Sequence, residues 1–506
     1  MNETVVIGGG LGGLLTAAIL AKNGMKVTVV EKNHSIGGGL HTFRRGGVDY
    51  ATGMHVFGGF GEEGIMTRIC KYLGIHDQVK VMETDADCMD EIFTPDGRYC
   101  LPRGRESYVS YLSEIFPHES EGIRLYVDAL YRLADAELSQ LSNISTYQHI
   151  NISTSQQMLW PADQLIAYYI KDEKLKALLS YLAPLYSGVS GETPAYIHAM
   201  VNTLHIDGSY MFVNGSQHFA DLLAGIVTDA GGRILTGHTV IGVEVDNRKA
   251  VGVVVSCIKN AVSTRYTLIP ERVICAVDPR QLMEMITPGA FPASFRERVM
   301  DARYGYSAFK LFVKFKDGSL KSVNHPRYFI GFPQLHPYTP TPLHPYTSWD
   351  ADRVELEHWP LCAMAVTGER TMTVVAPIAY DWFEQWADSR VGHRPEDYYL
   401  FKKELEDKLL AILPHWTSDA AIEDVFSSTP LTVRDYNGIY RGSMYGFHKD
   451  CNHIMYTKMS VNTKVSNLFM TGQSINLHGM CGVAITSLMT AEAILGKSLS
   501  PITYNP

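Results

Sequence analysis

Close to its first residue the chain carries Thr4-Val5-Val6-Ile7 running into Gly8-Gly9-Gly10-Leu11-Gly12-Gly13, and Glu31 follows at about the 20-residue offset that a dinucleotide-binding turn requires. Each residue type answers a separate demand. Gly8 permits a tight turn out of a buried strand, Gly10 lets backbone approach a pyrophosphate, and Gly13 lets the following helix pack close. Leu11 and Gly12 then open a helix whose free amide hydrogens face the anion. Val27 to Val30 reads as a second buried strand, and Glu31 at its end is placed to accept hydrogen bonds from a ribose 2′-hydroxyl. A phosphate at that hydroxyl would be repelled, which disfavours NADP.

A second GxGxxG occurs at Gly59-Phe60-Gly61-Glu62-Glu63-Gly64, ahead of a helix expected over Ile65 to Tyr72. No uninterrupted apolar strand leads into it, and Glu62 with Glu63 would set two negative charges beside a negative pyrophosphate. It is read as a surface turn.

Two further segments say which dinucleotide is meant. Glu31 and Lys32 are followed by Gly37-Gly38-Gly39 and Leu40-His41-Thr42-Phe43, which resembles the paired-glycine extension of FAD-binding oxidoreductases such as amine oxidases, dissociation inhibitors and phytoene desaturases. Near the other end, Thr471-Gly472-Gln473-Ser474 leads through Gly482, Val483 and Ala484 into an apolar helix expected to reach Leu495, similar to the C-terminal flavin motif of that superfamily. This chain has Gly39 where many members carry a basic residue, and Ser474 where relatives carry an acid. Val48-Asp49-Tyr50-Ala51-Thr52-Gly53-Met54-His55 narrows the likeness to the phytoene desaturase, carotenoid isomerase and retinol saturase branch. The resemblance implies FAD as cofactor and Val240 as the adenine-side contact. It implies an α/β fold, a Rossmann-type FAD domain interleaved with an α+β substrate domain.

At 506 residues the chain exceeds the size at which one core stops growing, and the two flavin segments at opposite ends force interleaving. The expected division is 1–85, 211–290 and 446–506 for the FAD domain, and 86–210 with 291–445 for the substrate domain. A net charge of −9 without a basic stretch argues against nucleic acid as a partner. Eight cysteines show no paired spacing for zinc or a redox dithiol, and are read as reduced and mostly buried. Thr4 to Ala21 carries no charge, yet its glycine turn and its lack of a basic leader argue against a signal peptide or a membrane span. The expected location is the cytoplasm, with peripheral membrane contact left open.

Coarse periodicity fills in the rest. Cys88 to Gly104 alternates around Pro95-Asp96-Gly97 as a hairpin, and Phe309 to Phe315 alternates as a sheet strand. From Asp163 to Leu182 the apolar residues fall at helical spacing, read first as core packing and second as an interfacial stripe with Trp160, Tyr168 and Tyr181. Leu335-His336-Pro337-Tyr338-Thr339 recurs as Leu343-His344-Pro345-Tyr346-Thr347, a proline-stiffened loop read as a lid over the substrate channel. No cysteine or acid cluster joins His336 and His344, so no metal site is expected.

The implied chemistry is flavin redox at a carbon-carbon double bond of a hydrophobic polyene or related lipid, held in a long apolar tunnel. His55 is the leading candidate for proton exchange beside the flavin. Tyr445, with Tyr440 and His448, resembles the family segment ahead of the final flavin motif and is expected to line the channel. Saturation, desaturation and isomerisation without net redox stay open, as does a non-catalytic lipid-binding module. No second nucleotide fingerprint is present, so electrons would come from an external donor or from NAD(P)H acting directly.

Overall fold

A computed structural model describes residues 3–94, 97–141, 156–259, 262–321, 323–330, 359, 362–413, 417, 421–454 and 458–499. Its organising element is a five-stranded, wholly parallel sheet in the order Arg233–Thr236, Lys26–Glu31, Glu3–Ile7, Arg272–Cys275, Leu468–Met470. Val5-Val6-Ile7 is an unbroken apolar run and Val27-Thr28-Val29-Val30 is buried throughout because both faces of a parallel sheet are covered. The registers Ile7 to Val30, Ile7 to Cys275 and Cys275 to Met470 bring the carboxyl ends of these strands to one edge. That edge is where ligands of open α/β sheets bind.

Helix Leu11–Lys22 is apolar on every side and buried from Gly12 to Ala21, as expected for a helix sandwiched between layers. Helices Gln217–Asp229 and Gly479–Leu495 pack against it. A three-stranded antiparallel meander, His238–Asp246, Lys249–Lys259 and Val262–Leu268, extends the same unit.

The second layer is a seven-stranded sheet in the order Ile422–Ser428, Ser307–Phe315, Thr371–Ile378, Cys362–Thr367, Arg327–Ile330, Asp90–Thr94, Gly97–Leu101. Its pairs are antiparallel apart from Arg327–Ile330 with Asp90–Thr94. Ser307–Phe315 differs from the simple alternation expected of it, because all nine residues are buried. Phe309, Leu311, Val313 and Phe315 enter one core, whereas Phe312 meets Phe43, Tyr50 and Phe426 on the opposite face. Those rings fasten the hairpin Thr42–Arg45 and Val48–Ala51 to the sheet, which fixes the backbone leading to His55.

The helix expected over Asp163 to Leu182 is two helices, Ala162–Tyr169 and Glu173–Leu179. Side chains break it. Glu119 accepts the amide hydrogens of Lys171 and Asp172 at 2.7 and 2.5 Å, and Asp172 caps the second helix by accepting from Lys174 and Leu175 at 2.9 and 3.0 Å. Leu165, Ile166, Leu175, Leu178 and Leu179 are buried, so the apolar stripe serves the core. Among the described residues no helix is long and apolar enough to cross a membrane.

Two cysteines correct the reduced reading. The hairpin Asp90–Thr94 and Gly97–Leu101 brings Cys88 beside Cys100 in a disulfide, a pairing set by hairpin register that linear spacing does not display. Cys70, Cys257, Cys275, Cys362, Cys451 and Cys481 are free thiols. At Gly59 to Gly64, Glu62 and Glu63 are exposed and Gly64 donates to the Gly61 carbonyl at 2.8 Å, the expected turn. The repeated His-Pro-Tyr-Thr loop at 335–347 lies outside the described residues.

Candidate functional site

At the carboxyl edge of the parallel sheet lies a cavity of about 630 Å³ that also reaches the second layer. Gly8, Gly10, Leu11 and Gly12 line its start. Gly8 has φ +102°, and a Cβ there would lie 2.9 Å from Val277 and 3.3 Å from the Ala276 carbonyl oxygen, so only glycine turns out of the first strand at this point. Gly13, expected among the cofactor contacts, does not line the cavity. A Cβ on it would stand 2.0 Å from the Gly8 carbonyl oxygen, so its work is to press the helix onto the turn.

Glu31 sits at the end of its strand, buried, with both oxygens oriented. Oε2 accepts the Gly9 amide at 2.7 Å and Oε1 accepts the Asn33 amide at 2.8 Å. Carboxylate oxygens have further lone pairs, so ribose hydroxyls can be accepted as well. Lys32, Gly38, Gly39 and Leu40 follow along the wall, and Gly37 donates to the Gly9 carbonyl at 2.8 Å, laying the second glycine run against the first. Val240 lines the cavity between Thr239 and Ile241.

The far end of the chain completes the same wall with Gly472, Gln473, Ser474, Gly482 and Val483. A Cβ on Gly12 would lie 3.1 Å from the Gly472 Cα. Ser487 Oγ donates to the Gly12 carbonyl at 3.3 Å, and Thr16 and Thr471 hydroxyls meet at 3.3 Å. Ala484 corrects an expectation: it is fully buried in the core and does not face the cavity, because it lies one position beyond Val483 on the helix and turns inward.

The other end of the cavity carries titratable groups in apolar surroundings. Burial, reinforced by the charge of Lys310, lowers the His55 imidazole to about 3, and its Nε2 has no hydrogen-bond partner among the described residues. Burial lowers Lys310 to about 8, and its ammonium donates to the Thr52 carbonyl. Burial raises the Tyr445 phenol above its ordinary range. His478 is lowered to about 3 by burial and by the charge of Lys449, and its ring lies 5.0 Å from that of Tyr445. All four line the cavity.

Tyr440 and His448, expected beside Tyr445, are not cavity residues. Tyr440 is partly exposed under the Arg280 guanidinium, and His448 turns away to bond Glu192 at 2.8 Å. His478 and Lys310 escaped sequence reasoning although each had a signal: His478 is the one basic or acidic side chain between Leu468 and Ala491, and Lys310 interrupts an aromatic and aliphatic strand.

Do these residues fit FAD? Gly10, Gly39, Gly472 and Gly479 line the cavity, and a Cβ on any of them would meet no protein atom within 4 Å. Their lack of a side chain serves open space and not packing, which is what a bound phosphate and ring system require. Glu31 supplies the ribose acceptor, and an apolar compartment adjoins the cradle. The site fits the group.

Comparison with known proteins agrees. The chain is 28% identical to all-trans-retinol 13,14-reductase of Rattus norvegicus over 98% of its length and 86% of the relative's. It is 23% identical to 4,4'-diapophytoene desaturase (4,4'-diaponeurosporene-forming) of Staphylococcus aureus strain Newman, over 62% of each. In fold it is similar to an oxidoreductase from Methanosarcina mazei, with a TM-score of 0.63 at 17% identity, covering 98% of this chain and 100% of that one. The family described as flavin containing amine oxidoreductase matches residues 11–495, so the chain belongs to that family and is an oxidoreductase with FAD as its cofactor.

Proposed function

We propose that this protein transfers hydrogen at a carbon-carbon double bond of a hydrophobic polyene, in the direction of saturation. One observation carries the reading: the dinucleotide cradle and a wall of Leu185, Ile197, Met200, Met364 and Val375 belong to one continuous cavity. A hydrocarbon chain offers little besides apolar surface to hold it, and this wall supplies that surface. The relative matched along nearly the whole chain is named for reducing a polyene alcohol, whereas the desaturase matches over a shorter span.

Bound FAD supplies hydride exchange. The chain supplies the rest. Gly8, Gly10, Leu11, Gly12, Gly38 and Gly39 cradle the pyrophosphate, Glu31 and Lys32 hold the ribose, and Val240 meets the adenine. Gly472, Gln473 and Ser474 hold the ribityl chain, with Gly482 and Val483 at the ring edge. His55 and Tyr445 flank the reacting bond as a neutral imidazole and a neutral phenol, hydrogen-bonding the site without placing charge beside an apolar substrate. Lys310 is the cation within reach of the same space. The parallel sheet with its meander supports a cofactor domain of 1–85, 211–290 and 446–506, and the seven-stranded sheet supports a substrate domain of 86–210 and 291–445. Electrons enter from outside the chain, from NAD(P)H or a protein donor. The exposed Tyr168, packed against Trp160, supports a peripheral contact with lipid from which substrate is drawn.

The test is anaerobic turnover of a retinoid polyene by the chemically reduced, FAD-loaded protein, with product masses read by mass spectrometry. A gain of two hydrogens is expected. An unchanged mass with altered retention would replace saturation by isomerisation, and purified protein without flavin absorbance would leave only a lipid-binding module.

A further inference from the structure

Away from the glycine turns, one wall of the cavity is a stripe of the helix Ala195–Ile206. Ile197, Met200, Val201 and Leu204 line the cavity at three- and four-residue spacing, and His205 closes the stripe. From Ile197 to His205 such a stripe runs about 12 Å at about 1.5 Å per residue. His205 is only 3% exposed, and an imidazole there is costly unless something holds it.

Asp90 holds it. The carboxylate is fully buried on the strand Asp90–Thr94, its Oδ2 lies 3.4 Å from His205 Nδ1, and the same oxygen accepts the Tyr181 hydroxyl at 2.6 Å. The Tyr181 ring packs edge-on against Tyr328 at 5.1 Å, which keeps the phenol aimed at the carboxylate. With Nδ1 turned to Asp90, Nε2 has no protein partner among the described residues. A purely apolar wall has no use for this arrangement, since replacing a buried polar pair by packed apolar residues is often neutral or stabilising. The pair is therefore explained by something that enters the cavity.

We propose that His205, oriented by Asp90, anchors a terminal hydroxyl group of the substrate, so that the polyene taken by this enzyme is an alcohol and not a hydrocarbon. This rests on the polyene reading above. The substrate hydroxyl donates to Nε2 while its chain lies along Leu204, Val201, Met200 and Ile197. His205 is a specificity residue in this account and transfers no proton.

The test measures equilibrium binding to the FAD-loaded protein of all-trans-retinol and of its deoxy analogue, in which a methyl group replaces the terminal CH₂OH, by quenching of tryptophan fluorescence. The wild type should prefer the alcohol about ten- to a hundredfold, the range expected when a buried hydrogen-bonding group is left unpaired. His205→Leu should abolish the preference by weakening the alcohol alone. Because that change strands the Asp90 carboxylate, the double variant Asp90→Asn/His205→Leu is measured beside it, with flavin absorbance and thermal melting to report folding. Equal binding of both ligands by the wild type, or an alcohol preference that survives in both variants, overturns the proposal. Binding of neither ligand by the wild type overturns the polyene reading as well, a result distinct from lost discrimination.

Discussion

Gly12 and Gly472 face each other so closely that a Cβ on the first would lie 3.1 Å from the Cα of the second. Gly472 has φ +104° and opens on the cavity, so a side chain there meets two penalties: a backbone conformation that L-residues avoid, and occupation of the cofactor's space. Gly472→Val is expected to leave the protein essentially without flavin. The ratio of flavin to protein absorbance after purification checks this, and full occupancy would show that the cofactor lies elsewhere.

Glu31 gives a graded version of the same test. In Glu31→Ala the amides of Gly9 and Asn33 lose their acceptor, as does the ribose. Flavin affinity should fall by about 1–3 kcal/mol, the cost of leaving such groups unpaired. Titration of apoprotein with FAD measures it, and Glu31→Gln should recover part of the loss.

Lys310 should make the reaction sensitive to pH. Its ammonium, lowered to about 8 by burial, is charged below that pH and neutral above it, whereas His55 and His478 at about 3 stay neutral across the working range. The pH profile of turnover is expected to break near 8, and Lys310→Met should flatten it while keeping the flavin bound. A break that persists in the variant belongs to another group.

A separate pH effect concerns folding. Burial raises the Glu91 carboxyl, but hydrogen bonds from His325 and Arg327 and the charges of Arg327 and Arg98 outweigh it and bring the group down to about 2. A carboxyl lowered in the folded state contributes stability above its unfolded value near 4.5, lost as pH falls from there toward about 2. The contribution is of the order of 2–3 kcal/mol. Denaturant melts of Glu91→Gln should show a weaker protein at pH 7 and a shallower acid limb.

Thiol counting tests the Cys88–Cys100 bridge. Alkylation of the unfolded, unreduced chain should label six cysteines, rising to eight after reduction. Eight labels without reductant would return all the cysteines to the thiol form.

The glycine turn, Glu31 and the C-terminal flavin segment were legible because their demands are local: a strand, a turn and a helix start contained within a few residues. The reaction end was legible only in part. His55 and Tyr445 emerged by resemblance, but His205 gains its meaning from Asp90 and Tyr181, which come from distant segments and meet only in the folded core. Hydrophobic spacing found the apolar stripe of 163–182 but not its break, since the local cap at Asp172 leaves the periodicity unchanged and the acceptor Glu119 comes from a distant segment. Likewise Cys88 and Cys100 become neighbours only through hairpin register.

The fifth strand of the parallel sheet, Leu468–Met470, and the helix that follows it have a consequence for biosynthesis. A ribosome releases Gly472, Ser474 and Val483 long after the glycine turn has emerged, so a nascent chain holds half a nucleotide site. Cofactor loading therefore waits on synthesis of that segment, and cells starved of riboflavin should accumulate a polypeptide whose helix Gly479–Leu495 is open to proteolysis.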